Sequence, residues 1–172
     1  MQLYKLTNLD GSCANGGTGK WHLPRNGRAG RWMPRITGEL IPCQRGYHLC
    51  RIGDLLEWAA PALWLAEHDG EIIEAENKIV VARARLISRN DRWNDRMLRL
   101  FACDCADRVR HLADDERSAA AIDVARRFAN GDATTAELGA NWEAARGANW
   151  GTERGWQIEL LKWYLGEREN RP

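Results

Sequence analysis

The spacing of apolar residues changes character once along this chain, at Ser88, and that change limits the possible folds more than any other feature. Before it, apolar residues alternate with polar ones or gather in short β-branched runs, at Leu3–Thr7, Ala62–Glu67, Glu71–Glu74 and Lys78–Leu86. Such runs read as strands. After it, Leu98, Phe101, Cys105, Val109 and Leu112 recur at helical spacing. Strands followed by helices predict an α+β fold. A small antiparallel β-sheet region is expected over 1–87 and a bundle of about four helices over 88–172. No linker rich in Pro, Gly or Ser separates the halves, so the two are expected to pack as one compact unit.

Turn and cap chemistry places the elements. Short strands are expected at Glu39–Ile41 and Tyr47–Cys50 around a turn at Gln44-Arg45-Gly46. Asp54 is a candidate cap for a short helix that Pro61 ends, and Asp69-Gly70 is a hairpin signal between two strands. Asn90 or Asp91 would cap a helix over about 91–112. A second helix is expected over about 115–130 with Gly131 past its end, a third from Thr134 or Thr135, and a fourth over about 152–165. Trp142 and Trp150, then Trp156 and Trp163, sit about two helical turns apart and would form packing seams, with a possible homodimer contact through these Trp-bearing helices. Ala140-Asn141-Trp142 and Ala148-Asn149-Trp150 form a weak internal repeat, and the nearby glycines predict a break near 151.

Composition narrows the class. The 172 residues are 44% hydrophobic and 28% charged, ordinary for a soluble globular protein. No run approaches the roughly 18 apolar residues of a membrane span, and the first residues lack a signal-peptide core. The expectation is a cytoplasmic protein without a membrane partner. Five cysteines in such a chain predict reduced thiols. Net charge is +1, but residues 1–51 carry eight Lys/Arg against two Asp/Glu, and residues 52–82 carry one against seven. Either the two blocks neutralise one another, or the first forms a surface for an anionic partner.

Three sets of residues could carry chemistry. Cys43, His48 and Cys50 could ligate zinc, with Cys13 or His22 as a fourth ligand, although the spacing is not that of a zinc knuckle. Cys50, next to Arg51 and near His48, could be a nucleophile, and Tyr4, His48 and Arg51 could line an NAD-using transferase-like cleft. The third set is the loop 20–35, where Lys20, Trp21, His22, Arg25, Arg28, Arg31, Trp32 and Arg35 interleave bases and aromatics. Such a loop, with Arg45 and Arg51, could meet phosphates and stack on bases. The alternative is that Trp21 and Trp32 pin it to the core while its arginines pair with Glu67, Asp69, Glu71, Glu74 or Glu76. Gly16-Gly17-Thr18-Gly19-Lys20 lacks the spacing and the following helix of a phosphate loop.

The segments Leu3-Tyr4-Lys5, Pro42-Cys43-Gln44-Arg45-Gly46-Tyr47-His48-Leu49-Cys50-Arg51, Ala62-Leu63-Trp64 and Lys78-Ile79-Val80-Val81 resemble a domain of unknown function in bacterial and bacteriophage proteins. Arg99-Leu100-Phe101-Ala102-Cys103-Asp104-Cys105-Ala106-Asp107-Arg108-Val109 looks like the helical segment that follows in some members, certain of which bear the label immunity protein. The resemblance implies an accessory protein of phage or mobile-element origin and no particular catalytic residue. The expected function is therefore binding of a macromolecule, a host or phage protein or a nucleic acid, through Lys20, Trp21, Arg25, Arg28, Arg31, Trp32, Arg35, Arg45 and Arg51, without cofactor or catalysis. The alternative is a small enzyme or zinc-stabilised module around His48, Cys50 and Arg51.

Overall fold

The computed structural model describes residues 1–112, 116–141 and 154–172. The fold is α+β, and the chain divides into two compact units, Met1–Trp93 and Asn94–Pro172. The division falls a few residues beyond Ser88 because the last strand runs to Arg89 and Trp93 is fully buried, its indole N–H donating to the Ala60 carbonyl at 2.8 Å.

The first unit holds two antiparallel three-stranded sheets. One has the order β1 (Leu3–Thr7), β3 (Ala62–His68), β6 (Ala84–Arg89). The other has the order β2 (Tyr47–Leu49), β5 (Lys78–Val81), β4 (Ile72–Ala75). Tyr4 and Cys50 join the sheets through a reciprocal pair of backbone hydrogen bonds at 2.9 and 2.8 Å. Leu3 of β1, Leu49 of β2, Trp64 of β3, Ile79 and Val81 of β5 and Leu86 of β6 enter one hydrophobic cluster with Trp21 and Met33.

Four local readings change. The run 78–86 is two strands, broken at Ala82–Arg83, because the chain leaves one sheet for the other there. Asp69-Gly70 joins strands that do not pair: β3 pairs with β1 and β6, whereas β4 pairs with β5. Glu39–Ile41 is not a strand. Ile41 makes an isolated bridge to Arg45, around a turn in which Cys43 takes a φ of +65°. Asp54 is not the cap of its helix. It lies inside a short 3-10 helix, Ile52–Glu57, and accepts from the backbone N–H of Arg51 at 3.0 Å.

The long loop of the first unit is ordered by an edge strand. Gly30, Met33 and Ile36 donate their backbone N–H groups to Leu86, Ala84 and Ala82 at 2.8–2.9 Å. Bonding at every third residue covers the edge of β6 without forming a strand, and so removes an exposed template for pairing. Within this loop Arg25-Asn26-Gly27-Arg28 is a tight turn, with Asn26 and Gly27 at φ of 51° and 71° and reciprocal 3.0 Å bonds between Arg25 and Arg28. Asn-Gly suits that geometry because both central residues must be left-handed.

Among its described residues the second unit contains four α-helices. α1 (Asp95–Val109) is capped by Asn94, whose side chain accepts from Met97 N–H at 2.9 Å, and a 3-10 turn at Arg110–Leu112 follows. Asn90 instead caps the turn before it, accepting from Arg92 N–H. α2 (Glu116–Asn130) ends at Gly131, with φ 86°. α3 (Thr135–Asn141) opens on a capping box between Thr134 and Glu137, and α4 covers Arg154–Leu165. α1 packs on α2 and α4, and α2 on α3. Trp156 lies under the Arg108 guanidinium, and Trp163 meets Tyr164 edge-on beneath Arg171. Trp142, Trp150, most of the Ala-Asn-Trp repeat and the break near 151 lie outside the described residues. No helix among the described residues is long and apolar enough to cross a membrane.

Candidate functional site

A cleft of about 410 Å³ opens in the first unit. β1 contributes Lys5, β2 contributes Tyr47 and His48, and β5 contributes Lys78. Trp21 and Met33 come from the long loop, Cys43 and Gln44 from the turn before β2, Trp58 from behind the 3-10 helix, and Cys50 from just past β2. One wall is the segment Cys13–Gly19, which presents Gly16, Gly17 and Gly19. Asn15 ties this wall down through a 2.9 Å bond to the Trp58 carbonyl.

The charge of the lining is one-sided. It holds two lysines and a histidine and neither Asp nor Glu. Lys5 Nζ donates to the His48 carbonyl at 3.0 Å and stands 5.2 Å from the Trp21 ring centre. Lys78 is buried, sits 4.3 Å over the Trp58 ring and lies 3.2 Å from Cys43 Sγ. Neither lysine makes an ion pair with a carboxylate among the described residues. An indole face offsets part of the cost of desolvating a cation, on the order of 1–2 kcal/mol, but not the whole of it. Burial pushes the Lys5 ammonium below the ordinary lysine value, against the opposing pull of the Cys13 and Cys50 thiols. Burial, then the two lysines, lower His48 as well. A neutral ring agrees with the 3.1 Å bond that His48 Nε2 accepts from Cys43 N–H.

The sequence-derived candidates divide between this cleft and structural roles. Cys43, His48 and Cys50 all line the cleft. Yet no group of three or more His, Cys, Asp or Glu among the described residues is placed to hold a metal ion. Alternation along β2 brings His48 and Cys50 to the same wall, while Cys43 reaches it through its left-handed turn and turns its sulfur to Lys78. Burial pushes the Cys50 thiol up to about 11, so it is protonated at neutral pH. Arg51 points away into a bonded network, donating to Asp54 at 2.9 Å and to the Ala75 and Glu76 carbonyls at 2.9 and 2.8 Å. Tyr4 is buried in β1.

Part of the basic set is neutralised. Lys20 pairs with Asp10 at 2.9 Å, Arg35 with Asp69, and Arg51 also with Glu74 at 3.5 Å. The pairs of Arg35 and Arg51 run between the two oppositely charged blocks. Trp21 is 4% exposed and meets Tyr47 edge-on. Trp32 lies between the Arg83 and Arg85 guanidiniums at 4.9 and 4.7 Å. Arg31 reaches His22 Nδ1 at 3.4 Å, and Arg45 lies against Gly38. Arg25 and Arg28 flank the Asn26-Gly27 tip and are exposed.

Lys5 and Lys78 are absent from the sequence-derived set. A signal for them existed: lysine occurs only four times among the chain's 25 Lys/Arg residues. Two of the four sit within strands rich in apolar residues, and both line this cleft. Comparison with protein-family models, with curated proteins and with solved structures gave no match to this chain.

Proposed function

We propose that the first unit binds a small anionic molecule in the cleft between Lys5 and Lys78. The observation that carries this reading is the cleft lining, with two lysines, one histidine and no carboxylate. A cation withdrawn from water without an ionic partner is costly, and a site that holds the buried Lys78 and the half-buried Lys5 is suited to a ligand that supplies the missing negative charge. The volume suits a metabolite-sized guest, and the glycine wall lets backbone approach it closely. Calorimetric titration with inorganic pyrophosphate is expected to show one site per chain. Lys78→Met is expected to weaken it roughly 10-fold to 100-fold, the value of one charge-assisted hydrogen bond. Absence of binding by pyrophosphate and by a tricarboxylate such as citrate overturns the reading.

A second reading, contact with an acidic protein or a nucleic acid through the long loop, is favoured by one observation. Arg25 and Arg28 stand exposed at the tip of a tight turn and make no ion pair among the described residues. It fits the accessory role that the family resemblance implies. Fluorescence anisotropy with single-stranded DNA is expected to show salt-sensitive binding that the Arg25→Ala, Arg28→Ala double variant weakens. Unchanged affinity in that variant removes the tip from the nucleic-acid interface.

A further inference from the structure

Resting on the anion-binding reading, we infer that Lys5 is an amine nucleophile that forms an imine with a small carbonyl compound bearing an acidic group, which Lys78 holds. The substrate class is an oxo acid or a phosphorylated aldehyde. Three features of the cleft lead there. Lys5 sits inside the cavity, with its one hydrogen bond to a backbone carbonyl and no carboxylate to keep it charged. Lysine amines become nucleophilic when they are desolvated or placed among other cations. Lys78 stands in the same cleft as a second cation, held over Trp58. His48 separates the roles further, since its backbone carbonyl positions the Lys5 amine and its ring engages the turn that bears Cys43. The lowered Lys5 value described above agrees with this role.

The chemistry closes without a co-reactant. The unprotonated Lys5 Nζ adds its lone pair to the carbonyl carbon, and the carbonyl oxygen takes up a proton. The nitrogen releases one proton as the carbinolamine forms and its second as the hydroxyl takes up another proton and leaves as water, so that a C=N bond replaces C=O. No electron is gained or lost overall. Arginine cannot do this at accessible pH, since its guanidinium does not give up its proton. That explains a lysine at this position in a chain whose basic residues are otherwise mostly arginine.

The test is reductive trapping on the full chain. Protein is incubated at neutral pH with sodium cyanoborohydride and either glyoxylate or acetaldehyde, and modified sites are read by peptide mapping. Only four lysines and the terminal amine compete. The expected result is a glyoxylate adduct concentrated at Lys5 over Lys20 and Lys162, lost in Lys5→Arg and suppressed by excess pyrophosphate. Lys78→Met is expected to reduce trapping of glyoxylate at Lys5 several-fold more than trapping of acetaldehyde, which has no acidic group for Lys78 to hold. Label spread evenly over the lysines, or absent from Lys5, overturns the inference. If that happens while pyrophosphate still binds, the anion site stands and the imine alone falls. Equal trapping of both aldehydes at Lys5, insensitive to Lys78→Met, overturns the assigned substrate class and the role of Lys78 in holding it, while the anion site itself stands or falls with pyrophosphate binding. Circular dichroism of the Lys5→Arg protein separates loss of the amine from loss of the fold.

Discussion

Asp104→Ala is expected to destabilise the helical unit by about 3 kcal/mol. Asp104 lies on α1 with its side chain 4% exposed. One carboxylate oxygen accepts from Arg126 at 2.8 Å, and the other from the Tyr164 hydroxyl at 2.5 Å and from Arg171 at 2.6 Å. A single buried carboxylate thus ties α1 to α2, to α4 and to the residues after α4. Burial and the bond to Asp104 push the Tyr164 hydroxyl far above the ordinary tyrosine value, so it remains a donor across the accessible pH range. The cost falls at the low end for a broken buried pair because Arg126 keeps Asp107 and both guanidiniums reach water. Thermal unfolding followed by circular dichroism is expected to show the helical signal lost roughly 10 °C lower. Tyr164→Phe, which removes one hydrogen bond and no charge, is expected to cost about 1 kcal/mol. A Tm for Asp104→Ala equal to that of the parent would show that the carboxylate does not hold these helices together.

The network also shows which parts of the fold could be read in advance. Helical spacing exposed α1, α2 and α4, because that pattern repeats within one element and needs no knowledge of its neighbours. Caps were legible where side chain and backbone partner lie three residues apart, as at Thr134 and Glu137. The sheets were harder. The apolar run Ile79–Ala82 passes straight into the alternation Arg83-Ala84-Arg85-Leu86 with no Gly, Pro or Asn between them, so no turn residue marks the step between sheets. Asp69-Gly70 has the chemistry of a hairpin turn, but turn chemistry does not select the pairing partner, and β3 finds β1 and β6. The charge blocks announced ion pairs without saying which, and the pairs Arg35–Asp69 and Arg51–Glu74 are set by the tertiary fold.

The cleft was half legible for the same reason. Cys43, His48 and Cys50 stand out by residue type within one short segment. Lys5 and Lys78 are far apart in sequence, and a lysine in an alternating strand reads as a solvated outward residue. Only the pairing of β5 with β2, and of Tyr4 with Cys50, brings the two lysines to one cavity. The tryptophans were read as anchors or stacking platforms. In the fold the Trp21 and Trp58 faces are occupied by cations of the chain itself, Lys5 on Trp21 and Lys78 on Trp58. Their contribution to the site is to hold ammonium groups in place without neutralising them, which a carboxylate partner would do.

Gly30→Ala is expected to cost about 3 kcal/mol or more and to abolish ligand binding in the cleft, although Gly30 does not line it. Gly30 is buried where the long loop crosses itself and meets β6. A Cβ there would stand 1.9 Å from the His22 carbonyl oxygen, 3.0 Å from its carbon and 3.4 Å from the Leu86 carbonyl oxygen. All three atoms are backbone, so no side-chain rotation relieves the contact. Relief requires parting the 21–23 segment from Gly30, or breaking the 2.8 Å bond from Gly30 N–H to Leu86. The first displaces Trp21, which carries Lys5 against its face; the second frees the segment leading to Met33, another residue of the cleft. Gly139→Ala serves as the control, since it lies in the helical unit and its Cβ would meet nothing within 4 Å. Urea unfolding and pyrophosphate titration of both variants check the argument together. A Gly30→Ala protein with parental stability and affinity would show that the loop does not depend on this crossing, and that Trp21 and Met33 are positioned by the core alone.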